Sequence, residues 1–383
     1  MDRMPNPYRP GFNAPPPIFV GRDGVLASVS EGLDVAALDG RTPRPLILTG
    51  TRGVGKTVAL GEAAALAAER LGWPTVHVEV RPKRPFTPLL VERLAAARDA
   101  LEHTTRKAGR STHVTGGKLS ATALGVGAEV MIERGADPVS TIPADPIGRA
   151  LTATMLAAMR AGAGLVLTLD EAQLATRGEL AAFTAVLQEH MGDDWPLVVL
   201  VAGLPSLRDP NRSVTYLERG EWQELGLLDP DDVRQALVEP AATAGRPMDD
   251  AAADILVGAS GGYPYAVQLY GHHAWRASDG SRHITTDHAR TALDAARREL
   301  EEGLYASRWN DASPKEQEYL AAVAALIVRT GEATGPLAAA ELGAAQSRVS
   351  YLRDRLLKKG TLYAEGPRLL FLTPGMAEWV MKH

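Results

Sequence analysis

The chain has 383 residues, 45% of them apolar and 23% charged, with a formal net charge of -5 and no cysteine. That length exceeds what one hydrophobic core usually serves, so two or three domains are expected, and the composition is that of an ordinary globular protein. Disulfide frameworks, thiolate zinc sites and cysteine nucleophiles are excluded, and the acidic balance confines any nucleic-acid contact to a local basic patch.

Taken in order, residues 1–17 are proline-rich and lack the apolar run of a signal peptide, and no stretch approaches the roughly 18 apolar residues of a membrane span. They read as a flexible arm on a cytoplasmic protein without a membrane partner. Leu46 to Thr49 follows two prolines and reads as a buried strand, after which come a glycine-rich turn, a helix from Val58 to Leu71 and a strand from Thr75 to Val80. Helices are predicted from Pro88 to about His103, from Pro146 to about Ala161 and over Leu180 to Met191. They alternate with strands at Leu165 to Leu169, Leu197 to Ala202 and Gln223 to Leu227, which implies a mostly parallel sheet covered on both faces. Residues 104–144 interrupt the pattern as an inserted hairpin or a loop. From Asp229 strands give way to helices at Pro230 to Val238, Asp249 to Ala259, Pro264 to Arg276 and Thr286 to Leu304. From Ser313 the pattern is three helices, Pro314 to Val328, Pro336 to Leu342 and Ser347 to Lys359. Two strand-like runs around Glu365-Gly366-Pro367 complete a winged helix-turn-helix pattern.

The segment Gly50-Thr51-Arg52-Gly53-Val54-Gly55-Lys56-Thr57 satisfies G-x-x-x-x-G-K-[ST] between a buried strand and the helix opening at Val58. The glycines let backbone N–H groups curl around phosphates, Lys56 reaches the terminal phosphates, and Thr57 ligates magnesium. Leu165 to Leu169 then delivers Asp170-Glu171 at the end of a second buried strand, where Asp170 would hold magnesium and Glu171 would polarise the attacking water. The fold class expected is therefore α/β, a P-loop NTPase parallel sheet with a helical lid and a C-terminal winged helix. Its boundaries are 18–227 for the core, 228–306 for the lid and 307–383 for the winged module.

With these residues together, the chain resembles the AAA+ ATPases, and within them the origin-recognition-like initiators and the STAND signalling ATPases. Phe19-Val20-Gly21-Arg22 looks like the box that these proteins place against adenine, which implies ATP, with Mg2+, as the ligand. Asp170-Glu171-Ala172-Gln173 resembles their Walker B sequence. Two features depart from the family. The strand ending Val201-Ala202-Gly203 lacks the usual polar residue, Ser206 being the nearest, and Gly261-Gly262-Tyr263-Pro264 opens a lid helix without the initiators' arginine. Gly262-Tyr263-Pro264 instead resembles the Gly-x-Pro motif of STAND proteins, placing Pro264 at the nucleotide. Both departures imply slow hydrolysis. The family also implies an arginine supplied from a neighbouring subunit, for which Arg219 and Arg212 are candidates, Arg219 favoured.

The third terminal helix turns Val349, Leu352 and Leu356 inward and leaves Arg348, Tyr351, Arg355 and Lys358 outward, suited to duplex DNA. Two outputs follow. One is a DNA-associated ATPase, as a homo-oligomer or with a protein partner; the other is a STAND-like signalling or defence switch whose winged helix docks on protein. A metabolic P-loop kinase fits neither the lid nor the winged terminus.

Overall fold

The computed structural model describes residues 4–11, 14–111, 145–190, 194–208 and 214–383, with backbone alone over 106–111. A first helix, α1 (Asp23–Leu38), buries Val25, Val29, Leu33 and Ala36 at helical spacing. There follow β1 (Leu46–Thr49), α2 (Lys56–Leu71), β2 (Thr75–Glu79), α3 (Thr87–Ser111), α4 (Pro146–Arg160) and β3 (Leu165–Asp170). Then come α5 (Arg177–Glu189), β4 (Leu197–Gly203), α6 (Thr215–Glu218) and β5 (Glu221–Glu224). The five strands form one parallel sheet in the order β2-β3-β4-β1-β5. Leu46, Leu48, Val166, Val198 and Leu200 pack on α1 and α2, while Ile47, Leu165, Leu167, Val199 and Val201 pack on α3, α4 and α5. With both faces covered, consecutive residues of β1, β3 and β4 are all buried, which is why these three read as largely apolar runs, whereas β2 and β5 at the two edges of the sheet are only partly buried and carry polar residues.

The carboxyl ends of β1 and β3 flank that of β4, so the glycine-rich turn and Asp170 open on one edge of the sheet, where α/β folds bind ligands. Three sequence expectations change. The helix α1 was not foreseen, α3 continues past His103 to Ser111, and β5 stops at Glu224 rather than Leu227. The hairpin or loop expected within 104–144 otherwise lies outside the described residues.

The lid comprises α7 (Pro230–Thr243), α8 (Asp250–Ser260), α9 (Pro264–Ala277) and α10 (Thr286–Leu300). A π-helical turn, Glu301–Tyr305, leads into α11 (Ala306–Asn310). The terminal module contains α12 (Pro314–Thr330), α13 (Gly335–Glu341), α14 (Gln346–Lys359), the antiparallel pair β6 (Leu362–Glu365) and β7 (Arg368–Phe371), and α15 (Met376–Val380). Three helices and a hairpin make the winged-helix arrangement. A capping box between Ser313 and Glu316 with Pro314 at the first position starts α12, and Val349, Leu352 and Leu356 of α14 are buried. One apolar core runs from the lid into this module.

The flexible arm expected for residues 1–17 is not found over residues 4–11. Tyr8 is 2% exposed and donates to the Leu237 carbonyl of α7, while Asn6 Nδ2 donates to the His272 carbonyl at 3.1 Å and the Arg9 N–H to Gln268 Oε1 at 3.2 Å. Gly271 makes room, since a Cβ there would collide with the Tyr8 ring. Anchoring by one buried aromatic and three hydrogen bonds was hidden by the prolines around them.

Candidate nucleotide site

The turn from β1 to α2 is shaped by glycines in the left-handed region. Gly53 has φ +82°, and a Cβ there would collide with the Tyr263 hydroxyl of the lid; Gly55, with φ +96°, caps α2. Lys56, 5% exposed, folds back so that Nζ donates to the Gly50 carbonyl at 2.9 Å and the Thr51 carbonyl at 2.8 Å. Burial pulls its pKa down to about 8, although Glu171 and Asp170 act in the opposite direction. Thr57 Oγ1 donates to Asp170 Oδ2 at 2.5 Å, and Asp170 Oδ1 accepts the Glu171 N–H at 2.7 Å. Burial raises the Asp170 pKa against the lowering effect of these two donors.

Glu171 is one of two described non-glycine residues with positive φ, at +52°, a conformation that costs energy and recurs at functional sites. Its Oε2 accepts from Gln173 Nε2 at 2.5 Å, and Gln173 Oε1 accepts the Leu204 N–H at 2.9 Å. The strand β4 offers no polar side chain at its end, as expected. Gly203 instead leaves space for the Gln173 amide, whose Oε1 would stand 2.8 Å from a Cβ at 203. Gln173, 5% exposed, thus links the end of β3 to the end of β4. Ser206 lies on a different cleft.

A cavity of about 930 Å3 joins these groups. Arg52, Gly53, Val54, Gly55, Lys56, Thr57, Val58, Asp170, Glu171, Phe19, Val20, Arg22 and Pro264 line it; Gly21, Gly50 and Thr51 do not. Gly21 turns against Asp232 of α7, and Gly50 and Thr51 present their carbonyls to Lys56. Arg22 braces the turn, Nη2 donating to the Gly226 carbonyl at 2.6 Å and the Val54 carbonyl at 3.2 Å. Burial lowers its pKa, with Asp232 and Asp229 opposing. Arg9, Pro10, Ile18 and Arg308 add walls that the sequence reading missed. Arg308 comes from α11, 45 residues after Tyr263 by their numbers, and no local motif marks it.

Thr57 Oγ1 and Asp170 Oδ2 are two converging hard oxygens, the donor set suited to Mg2+ shared with phosphates and water, and among the described residues no cluster of three or more His, Asp or Glu could hold a metal alone. Arg219 sits exposed at the C-cap of α6, away from the cavity, as expected of a residue at the end of a short helix; Arg212 lies outside the described residues. On α14, Arg348 and Tyr351 are exposed, whereas Arg355 Nε pairs with Glu316 Oε1 at 3.0 Å and Lys358 lines a cleft shared with Thr51.

Comparison with known proteins fits this geometry. Residues 18–200 match the model of the AAA ATPase domain. Residues 18–200 are an AAA ATPase domain of the P-loop kind. Residues 302–380 match a family described only as a domain of unknown function. Among solved structures, the Walker-type ATPase PABY2304 of Pyrococcus abyssi is similar at 16% identity and TM-score 0.59, covering 96% of this chain and 97% of that one. Cdc6p of Pyrobaculum aerophilum is similar at 15% identity and TM-score 0.50, covering 97% and 95%. Both likenesses concern the fold. No curated protein matches the sequence. Among the described residues, no helix is long and apolar enough to cross a membrane.

Proposed function

We propose that this AAA+ ATPase binds ATP with Mg2+ in the 930 Å3 cavity, hydrolyses it slowly, and couples nucleotide state to binding or assembly on double-stranded DNA. The observation that carries the reading is the junction of the two motifs, Thr57 on Asp170 at 2.5 Å with Lys56 beside them. In this reading the backbone from Arg52 to Val58 cradles the phosphates, Gly50 and Thr51 seat Lys56, which meets the terminal charge, and Thr57 and Asp170 would hold the metal. Phe19, Val20, Arg22 and Pro264 flank the base. The metal supplies charge neutralisation on the phosphates. Glu171 takes the proton of the attacking water on the carboxylate oxygen that Gln173 leaves open, and slow turnover is supported by the lack of a polar side chain at the end of β4. Arg219 would complete the site of an adjacent protomer. The domains proposed are the core over 18–227, the lid over 228–306 and the winged module over 307–383.

DNA contact is proposed for Arg348 and Tyr351, with Arg355 and Lys358 toward the other end of the same helix. A second reading, the STAND-like switch, is favoured by one contact. Gly360, which caps α14, lies on the P-loop, so that a Cβ there would stand 3.4 Å from Thr51 Cβ. The decisive experiment is ATPase rate and duplex gel shift on the same sample. DNA binding that depends on ATP supports the first reading. ATP binding with no DNA binding in any nucleotide state leaves the switch.

A further inference from the structure

Arg308, on α11 just past the π-helical turn, joins three parts of the chain beside the P-loop. Its Nη2 donates to the Tyr263 hydroxyl at 3.3 Å, and that hydroxyl donates to the Arg52 carbonyl at 3.3 Å. Its Nη1 donates to the carbonyl of Gly360. A Cβ at Gly360 would lie 3.5 Å from the Arg52 nitrogen, so the end of α14 rests on the phosphate loop itself. The guanidinium therefore touches the lid and the winged module while forming part of the wall of the cavity that holds Lys56.

The charge around it is unbalanced. Enclosed arginines ordinarily pair with a carboxylate, yet among the described residues Arg308 has only a phenol and a peptide carbonyl as acceptors. Burial lowers its pKa, and the charged side chain acting on it is a second cation, Arg52. Arginine keeps its proton even so, which leaves a permanent positive charge facing a cavity that Lys56 and Arg52 also line; the carboxylates Glu79, Asp170, Glu171 and Glu299 are in the same wall, but none is among the hydrogen-bond partners described for Arg308. A polyphosphate is the ligand whose charge would offset all three.

We infer that Arg308 is a phosphate-contacting residue contributed from outside both the P-loop and the lid, and that its engagement by bound nucleotide frees the Gly360 carbonyl and loosens the end of α14 from the P-loop. This rests on the ATP site proposed above. Charge-assisted hydrogen bonds to phosphate oxygens are roughly twice as strong as those to a neutral carbonyl, and although three of the five N–H donors are unused among the described residues, turning the rigid fork to set two of them on phosphate oxygens moves Nη1 away from the Gly360 carbonyl. The release therefore follows from competition for one guanidinium, and needs no deformation of the cores on either side.

The test uses the full chain as wild type, Arg308→Gln and Arg308→Lys, with Mg2+ and the slowly hydrolysed analogue ATPγS. Calorimetry reads affinity, and hydrogen exchange reads the amides of residues 357–365. In the wild type, ATPγS should speed exchange in that segment. Arg308→Gln should bind the analogue about tenfold or more weakly, as expected for loss of a charged hydrogen bond, and exchange fast there with or without it. Arg308→Lys keeps the charge but not the fork; it should stay within a few-fold in affinity yet lose the nucleotide-dependent change. If either variant binds and responds as the wild type does, the role of Arg308 is overturned while the ATP site stands. A wild type that binds no ATPγS overturns the site itself, and this inference with it. Should Arg308→Gln fail to fold, Arg308→Lys alone decides.

Discussion

Lys56 is held in an unfavourable place for the sake of a ligand, and the consequence can be measured. Its ammonium is almost wholly buried, and its pKa falls from the ordinary 10.5 to about 8. A displacement of that size means that the charged form is disfavoured in the folded protein by roughly 3 kcal/mol relative to the unfolded chain. Replacing Lys56 by Met removes the charge, keeps similar bulk, and forfeits the bonds to the Gly50 and Thr51 carbonyls, so the net gain is smaller, about 1–3 kcal/mol. Lys56→Met should therefore raise the melting temperature of nucleotide-free protein by several degrees at pH 7. The sign with pH follows from proton counting. Below about 8 both states hold the proton and the penalty is constant; from there up to 10.5 only the unfolded chain holds it, so wild-type stability recovers with rising pH. The gap between variant and wild type should thus shrink above pH 8. With ATP at a thousandfold excess over Kd, the wild type gains about 4.1 kcal/mol and the variant nothing, reversing the order. Thermal melts at pH 7, 8.5 and 9.5, with and without nucleotide, supply the test. A Met variant less stable than wild type at pH 7, or a gap that widens with pH, would refute the reasoning.

Glu171→Gln should keep ATP binding and lose turnover, because the amide keeps the size but cannot take a proton; phosphate release and calorimetry on one sample check it. Tyr8→Ala should cost about 3–5 kcal/mol in the stability of the lid and weaken nucleotide binding, since the arm it anchors lines the cavity, and denaturant titration with nucleotide affinity reads both. Replacing Arg348 and Lys358 by Ala should weaken duplex binding and flatten its salt dependence, whereas Arg355→Ala should chiefly loosen the packing of α14 on α12, which salt titrations and melting curves separate. Arg219→Ala mixed with Glu171→Gln should partly restore ATPase activity in an oligomer, as one interface regains both groups; no restoration on mixing removes Arg219 from the mechanism.

The P-loop and the acidic pair were legible in the sequence because each is a short run whose spacing is fixed by local backbone geometry, and both open on the sheet edge where they were expected. The central strands were legible because burial on both faces leaves apolar runs such as Leu197 to Ala202. What escaped depends on contacts across long stretches of chain. Gln173 was visible beside Glu171, but its reach to Leu204 depends on the space left by Gly203, 30 positions away by number. Tyr8, amid prolines and small residues, carries no periodic signal, and only the groove beside Gly271 makes it a core residue. Arg308 follows a π-helical turn, which rotates it relative to the helix before it in a way that helical spacing would not reproduce.

The two proposed outputs divide the same helix between them. Its exposed N-terminal half carries Arg348 and Tyr351, open to a duplex. Its C-terminal half is committed within the chain, with Lys359 Nζ donating to the buried Glu316 carboxylate at 2.9 Å, Arg355 paired to the same group, and Gly360 on the P-loop. Burial alone would raise the Glu316 pKa, but the Ser313 N–H and Lys359 hold the carboxyl below its usual range, so these cations face an ionised partner at neutral pH. DNA phosphates approaching the C-terminal half must compete with Glu316, while those at the N-terminal half meet no such rival among the contacts described. A helix anchored in this way can bind DNA weakly by its free end in one nucleotide state. Under the proposed DNA role it would bind more strongly when its other end is released from the ATPase core; DNA affinity and docking on the P-loop would then be linked equilibria, and whatever factor nucleotide adds to DNA affinity, DNA must add to nucleotide affinity.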